Sequence, residues 1–109
     1  YILIALDNQK TLLVHLGMSG RMLQMAYGQA PQKHDHVILS LDDDTRVVFN
    51  DPRRFGVMDL VADARLKQHK LLKTIGPEPL GKDLTPAYLL QKFKNKKAAI
   101  KVALLDQRV

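Results

Sequence analysis

The sequence predicts an α+β fold in which short antiparallel strands come first and helices follow. Over residues 1–61, apolar and β-branched runs alternate with polar turns, a pattern typical of an antiparallel sandwich or barrel. From residue 64 onward the apolar residues recur at helical spacing instead. The chain has 109 residues, of which 46% are hydrophobic, so it can form a core and is too apolar for a disordered segment.

The first part of the chain contains six apolar runs that we predict as strands. The third run alternates only weakly, and the triplet Asp42-Asp43-Asp44 between the fourth and fifth predicts a hairpin turn. The predicted strands are Tyr1–Leu6, Thr11–Leu16, Arg21–Tyr27, His36–Leu41, Thr45–Asn50 and Phe55–Val61.

Three helices are predicted in the second part. A loose apolar stripe over residues 64–75 ends at Gly76, which can serve as a C-cap. Thr85 is a suitable N-cap for a helix that begins at Pro86 and continues through Phe93. A third helix is expected over about residues 97–105.

The formal net charge of +6 is confined to one region. Residues 1–54 hold six basic and six acidic side chains, whereas residues 55–109 hold eleven basic and five acidic ones. Most of this excess lies after residue 91, in a lysine-rich stretch. A local basic patch fits a polyanion such as nucleic acid, and the alternative is a solvated helix face.

Composition excludes several classes of protein. Without cysteine the chain can form neither a disulfide nor a thiolate metal site, so a disulfide-stapled secreted fold is excluded. No apolar run is long enough for a membrane helix, and no secretory signal is visible. The chain opens directly on strand-like sequence and closes without a helix stop, so we expect a fragment of a longer protein. We also expect this protein to be located in the cytoplasm.

The segment His34-Asp35-His36 could place two imidazoles on one face of a strand. Two such ligands could begin a metal site, but no third ligand is obvious, and a catalytic zinc site usually has three protein ligands. A histidine that contacts a phosphate and a purely structural histidine are the other interpretations.

The segment Asp51-Pro52-Arg53-Arg54-Phe55-Gly56 predicts a rigid turn that carries two arginines and an aromatic ring. Arginine forks suit phosphates or base edges, and a phenylalanine can wedge between bases. The alternative is a hairpin tip with a salt bridge and a core phenylalanine.

The segment Gly17-Met18-Ser19-Gly20 predicts a tight loop that presents a methionine. An exposed methionine can fill irregular space, although a single methionine more commonly folds back into the core. Ser19 has no evident base, and no nucleophilic triad, phosphate-binding glycine loop or catalytic carboxylate pair is present.

Taken together and in order, five segments make the chain resemble formamidopyrimidine-DNA glycosylases, bacterial enzymes that remove 8-oxoguanine and ring-opened purines from DNA. The resemblance covers essentially the whole chain. The related endonuclease VIII group lacks the Pro-Arg-Arg-Phe-Gly run, so the purine-lesion branch is favoured. The segments are His15–Gly20, Lys33–His36, Asp51–Gly56, Leu72–Leu80 and Lys96–Lys101.

The resemblance implies two domains: an N-terminal β-sandwich, and a helix-two-turn-helix domain that ends in a zinc finger. Residues 1–76 would be the later part of the sandwich with a linking helix, and residues 77–109 the linker and the truncated start of the second domain. The family's catalytic proline amine, its neighbouring glutamate, an assisting lysine and the zinc finger would all lie outside this chain. The resemblance thus implies no catalytic residue, metal or cofactor here, and a fragment that is inactive alone.

What the resemblance assigns to this chain is contact with damaged double-stranded DNA. Met18, Arg53 and Phe55 match the residues that fill the void left by the flipped nucleotide, with the arginine facing the opposite cytosine. His34 and Lys97 match phosphate contacts, and Lys101 matches a lysine near the lesion. The resemblance also implies a monomer that is not attached to a membrane.

Three hypotheses remain after this reasoning. The first is a fragment of a bifunctional glycosylase and AP lyase that acts in base-excision repair. The second is a non-catalytic nucleic-acid-binding module without preference for damage, whose affinity would fall with salt. The third is a structural or protein-interaction domain with a lysine-rich surface.

Overall fold

Six strands form two three-stranded antiparallel sheets in the computed structural model, which describes residues 1–109. The first sheet has the order β1-β2-β6 and the second β3-β5-β4. The predicted α+β class is confirmed, and each predicted run matches one strand to within two residues at either end. The strands are β1 Ile2–Ala5, β2 Lys10–His15, β3 Arg21–Met25, β4 Asp35–Ser40, β5 Arg46–Asn50 and β6 Val57–Ala62.

The central strand of each sheet supplies the core. In β2, Leu13 and Val14 are fully buried, and in β5, Val48 and Phe49 are nearly so. Adjacent residues of a strand point to opposite faces, so burial of both neighbours means that both faces of β2 and of β5 are covered locally. This explains why both strands are continuous apolar runs rather than alternating ones.

The pairing of the strands places three of the loops that connect them at the same strand ends. His15 at the end of β2 pairs with Val57 at the start of β6, so residues 16–20 and 51–56 leave the first sheet side by side. In the second sheet, Asn50 at the end of β5 pairs with Arg21 and with Asp35. The loop before β4 therefore reaches the same strand ends as the other two.

The predicted helix over 64–75 is wrong in type and extent. Residues Asp63–Gln68 form a 3-10 helix, and turns closed by bonds between residues three apart follow it, such as Ile75 N–H to Leu72 O at 3.0 Å. The His69 ring accepts the Leu71 N–H at 3.3 Å, and a side chain that binds nearby backbone competes with regular helix.

Gly76 also has a different role from the predicted C-cap. Its N–H donates to Gln107 O at 2.8 Å, and a Cβ at this position would overlap the backbone of Val109. Glycine is therefore required here for a close approach between two segments of backbone.

The two α-helices are α1, Pro86–Phe93, and α2, Ile100–Leu104. Helix α1 begins as predicted, with the Thr85 hydroxyl accepting the Tyr88 N–H at 3.1 Å. Helix α2 is shorter than the predicted 97–105, and its N-cap, Ala99, offers no side-chain acceptor for the free N–H groups of the first turn. Neither helix has the length and apolar character needed to cross a bilayer.

The chain divides into two compact units, Tyr1–Asp63 and Ala64–Val109. The boundary between these units, after residue 63, lies earlier in the chain than the one predicted after residue 76, because residues 64–76 pack with the helical part. The assignment of residues 1–76 and 77–109 to two domains of a longer protein stays a prediction.

Candidate functional site at one end of the sheets

Asp51 is a fully buried carboxylate at the point where the three connections meet. Its Oδ1 accepts the Ser19 hydroxyl at 2.5 Å, and its Oδ2 accepts the Gly56 N–H at 2.7 Å. These hydrogen bonds, with that from Ser19 the largest cause, hold the pKa of Asp51 below its ordinary value. Asp51 is thus ionised at neutral pH and joins the 17–20 loop to the end of the 51–56 loop.

The backbone of Asp51 makes the third connection. Its N–H donates to His34 O at 3.0 Å, and its carbonyl accepts the Arg54 N–H at 3.3 Å. His36 Nε2 lies 2.8 Å from the same carbonyl oxygen and carries a proton there, because a carbonyl can only accept. One residue therefore holds all three loops together.

The three residues predicted to fill a void in DNA lie together at the exposed edge of these loops. Arg53 Nη1 donates to Met18 Sδ at 3.6 Å, and the Arg53 guanidinium carbon lies 4.9 Å from the centroid of the Phe55 ring. Met18 is 75% exposed and Phe55 is 55% exposed. We call Met18, Arg53 and Phe55 the tip cluster.

Ser19 connects the two halves of the tip cluster. Its hydroxyl donates to Asp51 and its oxygen accepts the Arg53 N–H at 3.2 Å, so it fixes Met18 next to it and Arg53 across from it. The arrangement presents an apolar wedge and a cation as one rigid surface.

The loop before β4 is held by a second carboxylate. Asp35 Oδ1 accepts the Asn50 side-chain amide at 2.8 Å, and Oδ2 accepts the Gln32 N–H at 2.7 Å. The Asn50 bond is the larger cause that lowers the pKa of Asp35. This loop places His34 before β4 with a φ of 75°, outside the regular strand.

His34 and His36 therefore do not form the pair on one strand face that the sequence suggested. His36 is engaged with the Asp51 carbonyl, whereas His34 precedes the strand in a left-handed conformation. The structure contains no group of three or more histidine, aspartate and glutamate side chains that could hold a metal ion.

Gly17 allows the tight approach of the two tip loops. It has a φ of +65°, and a Cβ on it would lie 2.6 Å from the Phe55 carbonyl carbon. Gly56 is similarly confined, because a Cβ there would overlap the Phe49 ring. The glycines noticed in the sequence are thus required by contact with backbone and core, and at Gly17 also by a positive φ.

We expect Gly17→Ala to destabilise the first unit and to separate Met18 from Arg53. The left-handed conformation alone costs alanine about 1–2 kcal/mol, and the overlap with Phe55 adds to it. Urea unfolding followed by circular dichroism measures the loss. Gly28→Ala is the matched control, since Gly28 has a φ of +82° but no atom within 4 Å of a built Cβ. Equal losses in the two variants would contradict a close-packed role for Gly17.

The predicted lysine contacts belong to the second unit. Lys101 is exposed on α2, and Lys97 is exposed in the loop that precedes it. Their neighbour Lys96 lies 3.7 Å from Asp106, and Asp106 also pairs with Arg108 at 2.9 Å. These contacts, above all the hydrogen bonds from Arg108, lower the pKa of Asp106 to about 2. Two of the basic side chains in this stretch, Lys96 and Arg108, are therefore paired with Asp106 inside the second unit.

Comparison with known proteins is consistent with this architecture. Residues 1–58 match the profile of the formamidopyrimidine-DNA glycosylase N-terminal domain. The chain is 51% identical to the formamidopyrimidine-DNA glycosylases of Roseobacter denitrificans and of a Ruegeria species, over 100% of its own length and 41% of theirs. It belongs to the formamidopyrimidine-DNA glycosylase family and spans about two fifths of the length of these relatives.

Solved structures agree with the fold. The Lactococcus lactis formamidopyrimidine-DNA glycosylase, bound non-covalently to DNA with an AP site, superposes with a TM-score of 0.82 at 27% identity, over 97% of this chain and 40% of that one. The MutM protein of Thermus thermophilus gives 0.76 at 34% identity, over 97% and 38%. MutM in complex with DNA containing carbocyclic 8-oxo-G gives 0.81 at 27% identity, over 97% and 40%.

Proposed function

We propose that this chain is the DNA-gripping part of a base-excision repair enzyme that removes oxidised purines, namely 8-oxoguanine and formamidopyrimidines. In the whole protein, base removal would be followed by AP lyase cleavage of the strand. The observation that carries the proposal is the tip cluster, three exposed residues in which the Arg53 side chain contacts both Met18 and Phe55, on loops fixed by one buried carboxylate. The DNA in the solved structures of related glycosylases supports it.

In this proposal the tip cluster enters the duplex where a damaged nucleotide leaves the stack. Flipping a base costs a few kcal/mol, and inserted apolar side chains offset part of that cost. Met18 and Phe55 would fill the vacated space, and Arg53 would face the base left unpaired on the other strand. Because the loops are already held by Ser19 and Asp51, little ordering entropy is lost on binding.

Residues outside the tip cluster would bind phosphates. His34 lies on a loop tied to Asp51, and we assign it a phosphate contact. Lys97 is assigned a phosphate contact and Lys101 a position near the lesion, both from the second unit. Arg54 would have a supporting structural or phosphate role. These contacts predict affinity that falls with salt.

The family implies a zinc ion, but the residues of this chain do not fit one. There is no cysteine, and no group of three other ligands is assembled. We therefore place the zinc on cysteines of the whole protein that lie outside this chain. The same proposal makes the whole protein a monomer that works on DNA in the bacterial cytoplasm.

A competition assay between intact duplex and duplex with an abasic site tests the proposal. We expect the abasic duplex to compete better, because its gap accepts the tip cluster without the cost of flipping a base. Equal competition by both duplexes, with affinity set by salt alone, would favour a non-catalytic binding module. No DNA binding at all would favour a structural or protein-interaction domain.

The chain alone is expected to leave 8-oxoguanine in place and to form no covalent adduct with lesion DNA in the presence of borohydride. The reason is that the proposed nucleophile, an N-terminal proline amine, is not among its residues. A gel-shift assay after borohydride treatment makes the measurement, with a complete family enzyme as positive control. An adduct on the chain itself would show that our account of the nucleophile is wrong.

A further inference from the structure

The four methionines of this chain differ sharply in their access to solvent. Met18 is 75% exposed, Met25 is 8% exposed, and Met22 and Met58 are half-buried. The chain has no cysteine, so these four thioethers are its only sulfur atoms. Any oxidant that reacts with sulfur can therefore react only with these four side chains, and the greater solvent exposure of Met18 favours reaction there.

The backbone on both sides of Met18 is closely packed. A Cβ on Gly17 would overlap the Phe55 backbone and one on Gly20 would overlap Leu16, so the backbone on both sides is tightly confined. Ser19, the next residue, is fixed to the buried Asp51 carboxylate. With the backbone restrained in this way, only rotation of the side chain itself can move the thioether from its exposed position.

A cation lies beside the sulfur. Arg53 Nη1 is 3.6 Å from Met18 Sδ. A thioether is only a weak acceptor, whereas a sulfoxide oxygen is a strongly polar acceptor, and a hydrogen bond from a charged guanidinium to it is correspondingly stronger. Oxidation of Met18 would therefore turn a weak contact with Arg53 into a strong one.

We propose that Met18 is an oxidation site for peroxides, and that its sulfoxide disables the tip cluster. A lone pair of the sulfur attacks one peroxide oxygen, an S–O bond forms and the O–O bond breaks. A proton moves to the departing oxygen, which leaves as water when the oxidant is hydrogen peroxide. The sulfur loses two electrons and the peroxide gains them. A thiol-dependent methionine sulfoxide reductase would reverse the step.

The effect on DNA rests on the proposed function. A sulfoxide is polar and would be a poor filler for an apolar gap between stacked bases. At the same time Arg53 would be held by the sulfoxide oxygen and less free to face a base. One oxygen atom would thus impair two of the three residues of the tip cluster.

Peptide mapping by mass spectrometry after limited hydrogen peroxide treatment tests the site. We expect the Met18 peptide to gain one oxygen before the peptides of Met22, Met25 or Met58 do. An abasic duplex should slow oxidation of Met18 without slowing that of Met25. Earlier oxidation of Met22 or Met58, or equal oxidation of all four, would overturn the proposal.

Binding to abasic duplex before and after oxidation tests the consequence. Each variant is compared with its own untreated sample. Wild type and Met22→Leu should lose affinity on oxidation and regain it with the reductase, whereas Met18→Leu should show no such change. Loss of the same size in Met18→Leu would overturn the link between the sulfoxide and the tip cluster. If untreated chain showed no preference for abasic duplex, the proposed function would fail while peptide mapping still decided the oxidation site.

Discussion

Replacing Asp51 by alanine is expected to cost more DNA binding than any other aspartate substitution in the chain. The change leaves the Ser19 hydroxyl and the Gly56 N–H without their buried acceptor and leaves a cavity between the loops. The tip loops would then no longer be held together. In a complete enzyme a displacement of about 1 Å at a positioned group can cost about 10²-fold in rate. Competition with abasic duplex and single-turnover excision make the two measurements.

Asp42→Ala serves as the control, because it removes the same charge from the exposed turn between β4 and β5. Asp51→Asn should fall between the two, since an amide can still accept the Gly56 N–H through its oxygen. A binding loss in Asp51→Ala no greater than in Asp42→Ala would show that the buried carboxylate does not organise the loops.

Acid should loosen the same site. The folded-state pKa of Asp51 lies below its ordinary value, so its contribution to stability is present above about pH 4. That contribution is lost as the pH falls through the folded-state pKa, where the carboxylate takes up a proton.

The chemical shift of the Gly56 amide reports this protonation locally, and it should change only in strongly acidic solution. Asp35, Asp43 and Asp106 also have lowered pKa values, so global unfolding alone would not separate their effects. Titration of the Gly56 amide above pH 4 would contradict the assignment.

Arg53→Ala is expected to weaken binding and to reduce the preference for cytosine opposite the lesion. The guanidinium offers paired donors that a base edge can accept, and such a contact is worth about 1–3 kcal/mol of discrimination. Its backbone is held by Ser19 and its side chain lies against Met18 and Phe55, so it has a defined direction. Excision from lesions paired with each of the four bases, in the complete protein, gives the preference directly.

The neighbouring arginine provides the matched control. Arg54→Ala removes an identical charge one residue away, and it should weaken binding to all pairs about equally, as loss of a phosphate contact does. If Arg53→Ala left the preference for cytosine unchanged, or if Arg54→Ala altered it as much, Arg53 would not be the residue that reads the opposite base.

The strands and the tip loops were predictable because local chemistry determines them. Apolar runs bounded by polar turns identified all six strands, and Thr85-Pro86 identified the start of α1. The convergence of the loops follows from strand order, which joins β2 to β6 across more than forty residues of chain. Periodicity carries no information about such pairing, so the meeting of Met18, Arg53 and Phe55 came from family resemblance and not from spacing.

Two features escaped sequence reasoning for definite reasons. Asp51 looked like the first residue of an Asp-Pro turn, and only the folded strands show that its carboxylate is buried between Ser19 and Gly56. The segment 64–75 looked helical because its apolar residues are suitably spaced. The His69 ring accepts a backbone N–H, and Gly76 packs against the last residues of the chain. Both contacts favour tighter turns over a regular helix.

His34 and Arg54 have positive φ values of 75° and 58°, although neither is glycine. Such conformations cost a residue with a Cβ about 1–2 kcal/mol. Glycine at either site would remove that cost, yet it would also enlarge the unfolded ensemble and delete a side chain for which we propose a role at the DNA. Engineers who raise the melting temperature of such a protein by relieving backbone strain should find these two positions the least rewarding, because the DNA contacts we propose and the backbone strain reside in the same residues.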